Sequence, residues 1–246
     1  MNCQAILHQL LKFVVLNGMA HYDDCIAISG DRYGKQMSKL RKEKILDVAE
    51  KLLAQRGFYG VSLRDIAGEA EVDVALISYH FGKKMELFDA VIMRRAEVLN
   101  EDRARALEEC KQKALPGTPR VDEIIDAFTQ PMLNRSTDGG EHWHNYLALI
   151  AQINNNPEWG GEMMNRFFDP LVHKFLDSLR EALPDCEEED LMWCYHFLSG
   201  ALTLTFADTK RIDSLSGGKC KSSDFETAYK KMVPFISGGF KAFCKN

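Results

Sequence analysis

Ser62-Leu63-Arg64-Asp65-Ile66-Ala67-Gly68-Glu69-Ala70-Glu71-Val72-Asp73-Val74-Ala75-Leu76-Ile77-Ser78-Tyr79-His80-Phe81-Gly82 is the most informative stretch of the chain. Ser62 is placed to cap a short helix over Leu63 to Ala70, and Asp65 stands three residues on, where an acid favours a helix start. Leu63, Ile66, Ala67 and Ala70 make its buried face. Glu71-Val72-Asp73 is a three-residue turn, and Asp73 caps a second short helix, Val74 to His80, which Phe81-Gly82 ends. Two short helices joined by a tight turn form a helix-turn-helix. Its second helix can project side chains into a major groove about 12 Å wide.

Upstream, Leu40, Ile45, Val48, Ala49, Leu52 and Leu53 recur at steps of three and four and predict an amphipathic helix that stops at Arg56-Gly57. Between Ser38 and Arg56 the basic residues Lys39, Arg41, Lys42, Lys44, Lys51 and Arg56 outnumber Glu43, Asp47 and Glu50. A locally basic helix can lie along a phosphate backbone even though the 246-residue chain carries a net charge of −5, because a local face is what DNA meets. With 46% apolar and 27% charged residues, the composition excludes a disordered or fibrous chain.

The run Ile45-Leu46-Asp47-Val48-Ala49-Glu50-Lys51-Leu52-Leu53-Ala54-Gln55-Arg56-Gly57-Phe58 resembles the first helix of the tetracycline-repressor (TetR) family. Ser62-Leu63-Arg64-Asp65-Ile66-Ala67 resembles its second, and Tyr79-His80-Phe81-Gly82-Lys83-Lys84-Met85-Glu86-Leu87 its third and fourth. The resemblance implies a homodimeric, ligand-responsive transcription factor that binds a near-palindromic double-stranded operator. It implies that Val74, Ala75 and Ser78 face base edges and that Tyr79 lies at the base–phosphate boundary. Ser62, His80 and Lys84 then contact phosphates, with Lys39 and Arg41 alongside. Three departures bear on the target sequence rather than on the mode of binding. Val61 stands where the family usually has Thr, Glu71 where Gly is frequent, and the reading helix is unusually apolar at Val74-Ala75-Leu76.

The remainder reads as helical throughout, which makes the fold class all-α. A long helix is expected from Lys83 to about Ala114, broken by Pro116-Gly117-Thr118-Pro119. Further helices are expected over Val121 to Leu133, Glu141 to Asn154, Glu162 to Leu183, Glu187 to Arg211 and Ser223 to Phe243, with polar loops at residues 136–140 and 214–222. The expected organisation is an extension over 1–37, a helix-turn-helix DNA-binding domain over 38–84, and an effector-binding and dimerisation domain over 85–246. The extension is either an arm or the product of a start placed upstream of Met37. The complete helical pattern that follows Met37 at once favours the second reading.

In the family the last two helices form the dimer interface, and small residues here suit close packing: Ser199, Gly200 and Ala201 in one, Ser237, Gly238 and Gly239 in the other. The tail from Leu191 to Phe243 is similar to a branch whose effectors are fatty acids or other hydrophobic molecules. Aromatic and Met residues are dense in the central helices. Any one of them reads first as core, but as a set Phe128, Met132, Trp143, Tyr146, Phe167, Phe168, Phe175, Trp193 and Phe197 suit an effector pocket. Asn145, Gln152, His173, Tyr195 and His196 are candidates to fix a head group. The expected effector is small and hydrophobic or amphipathic, such as a fatty acid, an acyl thioester or an aromatic compound.

His142-Trp143-His144 invites a metal reading, but helix residues two apart diverge, so neither a metal nor another cofactor is expected. Without a nucleophile–base motif or a phosphate-gripping glycine loop, the chain does not read as an enzyme. The seven cysteines are scattered without CxxC spacing and read as free thiols of a cytoplasmic protein. No run of 18 apolar residues is present to span a membrane. Two alternatives stay open: a constitutive DNA-binding module that serves a protein partner, and a thiol sensor using Cys194 or Cys220.

Overall fold

Apolar spacing of three and four builds helix after helix along this chain. In the computed structural model, which describes residues 36–244, the first helix, α1, occupies residues 36–56. Most of the expected extension therefore lies outside the described residues. The chain divides into two units, 1–45 and 46–246. The described part of the first unit is helical, and Lys39, Arg41, Lys42 and Lys44 are exposed on it.

The second unit holds the rest of α1 and then α2 (Leu63–Ala70), α3 (Val74–Phe81), α4 (Lys84–Ala114), α5 (Val121–Asp138) and α6 (Gly140–Asn154). It continues with α7 (Gly160–Ala182), α8 (Glu188–Phe206), α9 (Arg211–Leu215) and α10 (Phe225–Phe243). No strand occurs among the described residues. The all-α class and the order of a helix-turn-helix followed by a larger helical portion are as expected.

Local chemistry sets the ends of α1 to α3. Gly57, at φ 72°, takes the left-handed turn after α1 and donates its N–H to the Leu53 carbonyl at 2.9 Å. Ser62 and Asp65 form a reciprocal box at the start of α2. The Asp65 N–H donates to Ser62 Oγ (3.2 Å), and the Ser62 N–H and hydroxyl donate to Asp65 Oδ2 (2.7 and 2.6 Å). Asp73 accepts from the Ala75 N–H at 2.7 Å and starts α3.

Larger elements depart from expectation where side chains bond along the helix. The polar stretch after Leu133 remains helical to Asp138, and there Ser136 Oγ and Thr137 Oγ1 donate back to the Leu133 carbonyl at 2.7 and 3.2 Å instead of forming a turn. α8 stops at Phe206 rather than Arg211, and Asp208 and Lys210 both adopt left-handed conformations before α9. Cysteine usage also needs correction. Cys110, Cys194 and Cys220 are free, but Cys186 and Cys244 are disulfide-bonded. The packing of α8 on α10 brings together two thiols 58 residues apart, a separation that no spacing rule reveals.

α4 packs on α5 and α7, α10 on α5 and α8, and α6 on α8. Phe128 of α5 stacks on Phe175 of α7 with ring centroids 4.2 Å apart. A charged knot lies among these apolar contacts. Glu50 of α1 is 0% exposed, and its Oε2 accepts from Arg94 Nη2 (2.9 Å) and Arg95 Nε (3.1 Å) of α4. Its Oε1 meets His142 Nδ1 of α6 at 3.1 Å, and Arg94 Nη1 also reaches Asp47 Oδ1 at 2.8 Å.

Removing a buried carboxylate leaves its cationic partners uncompensated. Glu50→Gln is expected to lower unfolding stability by about 3 kcal/mol in a urea titration. Arg94→Met should cost less in that background than in the unmodified protein, because the two substitutions remove one shared interaction.

Candidate nucleic-acid interface and effector cavity

α3 is amphipathic over only two turns. Ile77 is fully buried, while Ala75, Ser78 and Tyr79, at i, i+3 and i+4, are exposed on one face. Val74 is half-buried beside them, and Tyr79 is 82% exposed with its ring 5.1 Å from that of His80. A large aromatic side chain so exposed on a short, capped helix has no packing role to explain it. Ser62 is also exposed, but its hydroxyl is already committed to Asp65. Lys84 is half-buried, with its ammonium bonded to the Phe58 carbonyl and 4.3 Å from the centre of the Phe58 ring. Desolvation pulls its pKa below the usual lysine value, opposed by nearby Asp65.

The Phe58–Tyr59 turn joins this helix-turn-helix to the helices behind it. Tyr59 OH donates to Glu158 Oε2 at 2.7 Å and accepts from Trp159 Nε1 at 3.1 Å. Gln152 Nε2 of α6 donates to the Ala54 carbonyl at 3.0 Å. The Phe58 ring lies 5.2 Å from Phe88 and 5.4 Å from Trp159.

Behind the joint, α4 to α8 surround a cavity of about 50 Å³. Of the residues expected to hold an effector, Phe128, Met132, Tyr146 and Phe168 line it. Trp143, Phe167 and Phe175 are buried outside its lining. Trp193 and Phe197, 53% and 55% exposed, stand on the opposite, outward face of α8, one turn apart with Gly200 and Leu204 continuing their row. The structure thus does not bring these two to the cavity. Aromatic density alone does not distinguish a pocket wall from an outer stripe. Among the polar candidates, Tyr195 lines the cavity, whereas His173 and His196 are exposed and Gln152 is engaged at the Ala54 joint.

Residues not singled out from sequence complete the wall, chief among them Arg103 of α4. Its signal was present: Ala96, Leu99, Arg103 and Leu107 form one buried row, with a single charge in it. Cys194 is buried, and desolvation raises its thiol pKa, while Cys220 is exposed. His142, which drew a metal reading, is held by Glu50, and no group of three potential ligands forms among the described residues. No described helix is long and apolar enough to cross a membrane.

Residues 45–91 match the family model described as bacterial regulatory proteins, tetR family, and residues 126–239 match the tetracyclin repressor-like C-terminal domain. The Bacillus subtilis (strain 168) protein named "Probable HTH-type transcriptional regulator YttP" is 45% identical over 51 residues, covering 21% of this chain and only 25% of that protein. The biofilm operon icaADBC HTH-type negative transcriptional regulator IcaR of Staphylococcus aureus (strain Newman) is 24% identical over 144 residues, covering 56% of this chain and 70% of that one. Among solved structures, HlyIIR, a hemolysin II transcriptional regulator, superposes with a TM-score of 0.55 at 18% identity, covering 85% of this chain and 99% of that one. A TetR-like transcriptional regulator from Rhodococcus sp. RHA1 gives 0.54 at 19%, covering 82% and 96%. The fatty acid degradation regulator FadR from Bacillus halodurans gives 0.53 at 14%, also covering 82% and 96%. At these identities the structural matches establish a shared fold.

The turn between α2 and α3 carries a measurable strain. Glu71 sits at φ 55° and ψ 46°, where a side chain costs about 1–2 kcal/mol relative to glycine's freedom. Glu71→Gly should be neutral or stabilising by up to about 1 kcal/mol, and Glu71→Val should destabilise by about 1–2 kcal/mol. Paired thermal and urea melts of the two variants check both directions.

Proposed function

Because the chain belongs to the tetR family of bacterial regulatory proteins, which are DNA-binding transcriptional regulators, we propose that it represses transcription until a small effector releases it from its operator. The observation that carries the proposal is α3 itself, with Ile77 buried and Ala75, Ser78 and Tyr79 turned outward together. In this reading residues 38–84 are the DNA-binding domain and residues 85–246 the effector and dimerisation domain. Val74, Ala75 and Ser78 meet base edges, and Tyr79 sits at their boundary with the backbone. His80, Lys39 and Arg41 meet phosphates, joined by Ser62 and Lys84 where DNA displaces their bonds to Asp65 and to the Phe58 carbonyl. That IcaR is named a negative transcriptional regulator supports repression.

Dimerisation is proposed through α8 and α10. Trp193, Phe197 and Leu204 on α8, and Phe235 on α10, are exposed apolar side chains on neighbouring helices. A second copy of the chain would remove that surface from water. The two reading helices would then address half-sites about 34–36 Å apart on one face of a near-palindromic duplex.

Effector control follows from shared helices. α4 lines the cavity with Leu99 and Arg103 and carries Arg94 and Arg95 to Glu50. α6 lines it with Tyr146 and Ile150 and carries His142 to Glu50 and Gln152 to Ala54. A ligand that spreads these helices would shift α1, and with it the seating of α3. It acts only through its differential affinity for the two arrangements.

Fluorescence anisotropy on DNA from upstream of the protein's own gene, against a scrambled duplex and across salt concentrations, tests the reading. Selective, salt-sensitive binding is expected, and Tyr79→Ala should weaken it about tenfold or more without loss of stability. Lys39→Ala with Arg41→Ala should weaken binding to both duplexes and flatten the salt slope by roughly one per lost phosphate contact. Equal, weak binding to every duplex, unchanged by these substitutions, would contradict the proposal.

A further inference from the structure

Several of the described arginines hold carboxylates. Arg94, Arg95, Arg135, Arg166 and Arg180 each lie within 3.1 Å of an Asp or Glu oxygen, and all keep some contact with solvent. Arg103 is 5% exposed, more deeply buried than any of them, and no carboxylate meets it among the described residues. Its Nη2 reaches only the Met132 sulfur at 3.7 Å, and its guanidinium lies 4.5 Å from the centre of the Phe128 ring. Its Nε is buried without a hydrogen-bond partner.

A second unmet group shares this wall. Tyr146, which also lines the cavity, is 0% exposed, and its hydroxyl is buried without a hydrogen-bond partner among the described residues. A buried cation with no counter-charge and a buried hydroxyl with no acceptor are both costly unless something else supplies the bonds. The guanidinium can only donate and is charged, and the phenol can donate beside it, so the partner that suits both is an acceptor with negative charge. The rest of the lining carries no second charge: Phe128, Met132, Met164 and Phe168 suit an apolar body, and the polar Asn154, Tyr195, Ser199 and Thr203 are uncharged. Burial lowers the Arg103 pKa only to about 10, so the guanidinium remains cationic at neutral pH.

Building on the effector reading above, we propose that the cavity binds an amphipathic monocarboxylate, whose carboxylate is held by Arg103 and Tyr146. The room of about 50 Å³ takes a head group and a few carbons in the present packing. Met132 and Met164, flexible and unbranched, are the side chains that yield to a longer chain. The same ligand acts on regulation because Arg103 stands on α4, nine residues beyond the Arg94 that grips α1. Filling the cavity from the Arg103 side presses on the helix that positions the DNA-binding unit.

Calorimetric titration of the full chain with octanoate, octanol and octylamine, equal in length and different in head group, tests the proposal. Octanoate is expected to bind about 10- to 100-fold more tightly than octanol, and octylamine not to bind. Arg103→Met should abolish that preference while leaving octanol affinity and the melting temperature undiminished, because it replaces an uncompensated charge by apolar volume. Tyr146→Phe should weaken octanoate about tenfold, again without loss of thermal stability.

Equal affinity for octanoate and octanol, or octanoate affinity retained in both variants, would overturn the carboxylate site. The effector reading would survive that result if octanol still released operator DNA. If none of the three compounds binds, the carboxylate site and the effector cavity both fall. A marked loss of stability in both variants would assign the two groups to the core's own packing and equally overturn the proposal.

Discussion

The carboxylate of Glu50 has no exposed surface, yet three cationic or polar side chains converge on it from two other helices. A lone buried carboxylate would be untenable, so Arg94, Arg95 and His142 are required wherever Glu50 is. That requirement fixes α1 against α4 and α6 in a way apolar packing alone would not, since charge pairs tolerate little sliding. Asp47 extends the knot to the surface through Arg94. Two of the helices that hold the knot, α4 and α6, also form part of the cavity wall, and in the proposed function this is what would tie the position of the reading helix to a ligand behind it.

Two faces of α8 illustrate how the rest of the molecule divides its work. Leu191, Cys194, Leu198 and Leu202 face inward, while Trp193, Phe197 and Leu204 face out. Tyr195 and Ser199 line the cavity from the edge of the inward face. A single helix thus serves a cavity wall and an exposed apolar stripe, and a dimer seam there would sit close to a ligand bound in the cavity. Coupling between subunits would then need no long path.

The helix-turn-helix was legible because its determinants are local. Ser62 and Asp65 cap within one turn, Asp73 caps its own helix, and Gly57 and Gly82 take left-handed conformations. Helix ends were less legible where a hydroxyl bonds back to a carbonyl, as Ser136 and Thr137 do, because the same residues also favour turns. The pocket was only half legible. Phe128, Met132, Tyr146 and Phe168 face the cavity, but Trp193 and Phe197 carry the same sequence signal and face outward, since periodicity gives a stripe and not its direction. Arg103 was overlooked for the opposite reason, because a charge on a long helix reads as solvated unless its apolar row, Ala96, Leu99 and Leu107, is weighed with it. The Cys186–Cys244 pair depends on tertiary packing and left no local trace.

In the proposed function the cavity and the DNA-reading face are thermodynamically linked, and linkage is reciprocal. The most direct measurement is the affinity for operator DNA with and without saturating octanoate, alongside the affinity for octanoate with and without saturating operator. A linked protein loses affinity in both experiments by the same factor, about 5- to 150-fold. Tight octanoate binding that leaves operator affinity unchanged, in either direction of the cycle, would contradict the claim.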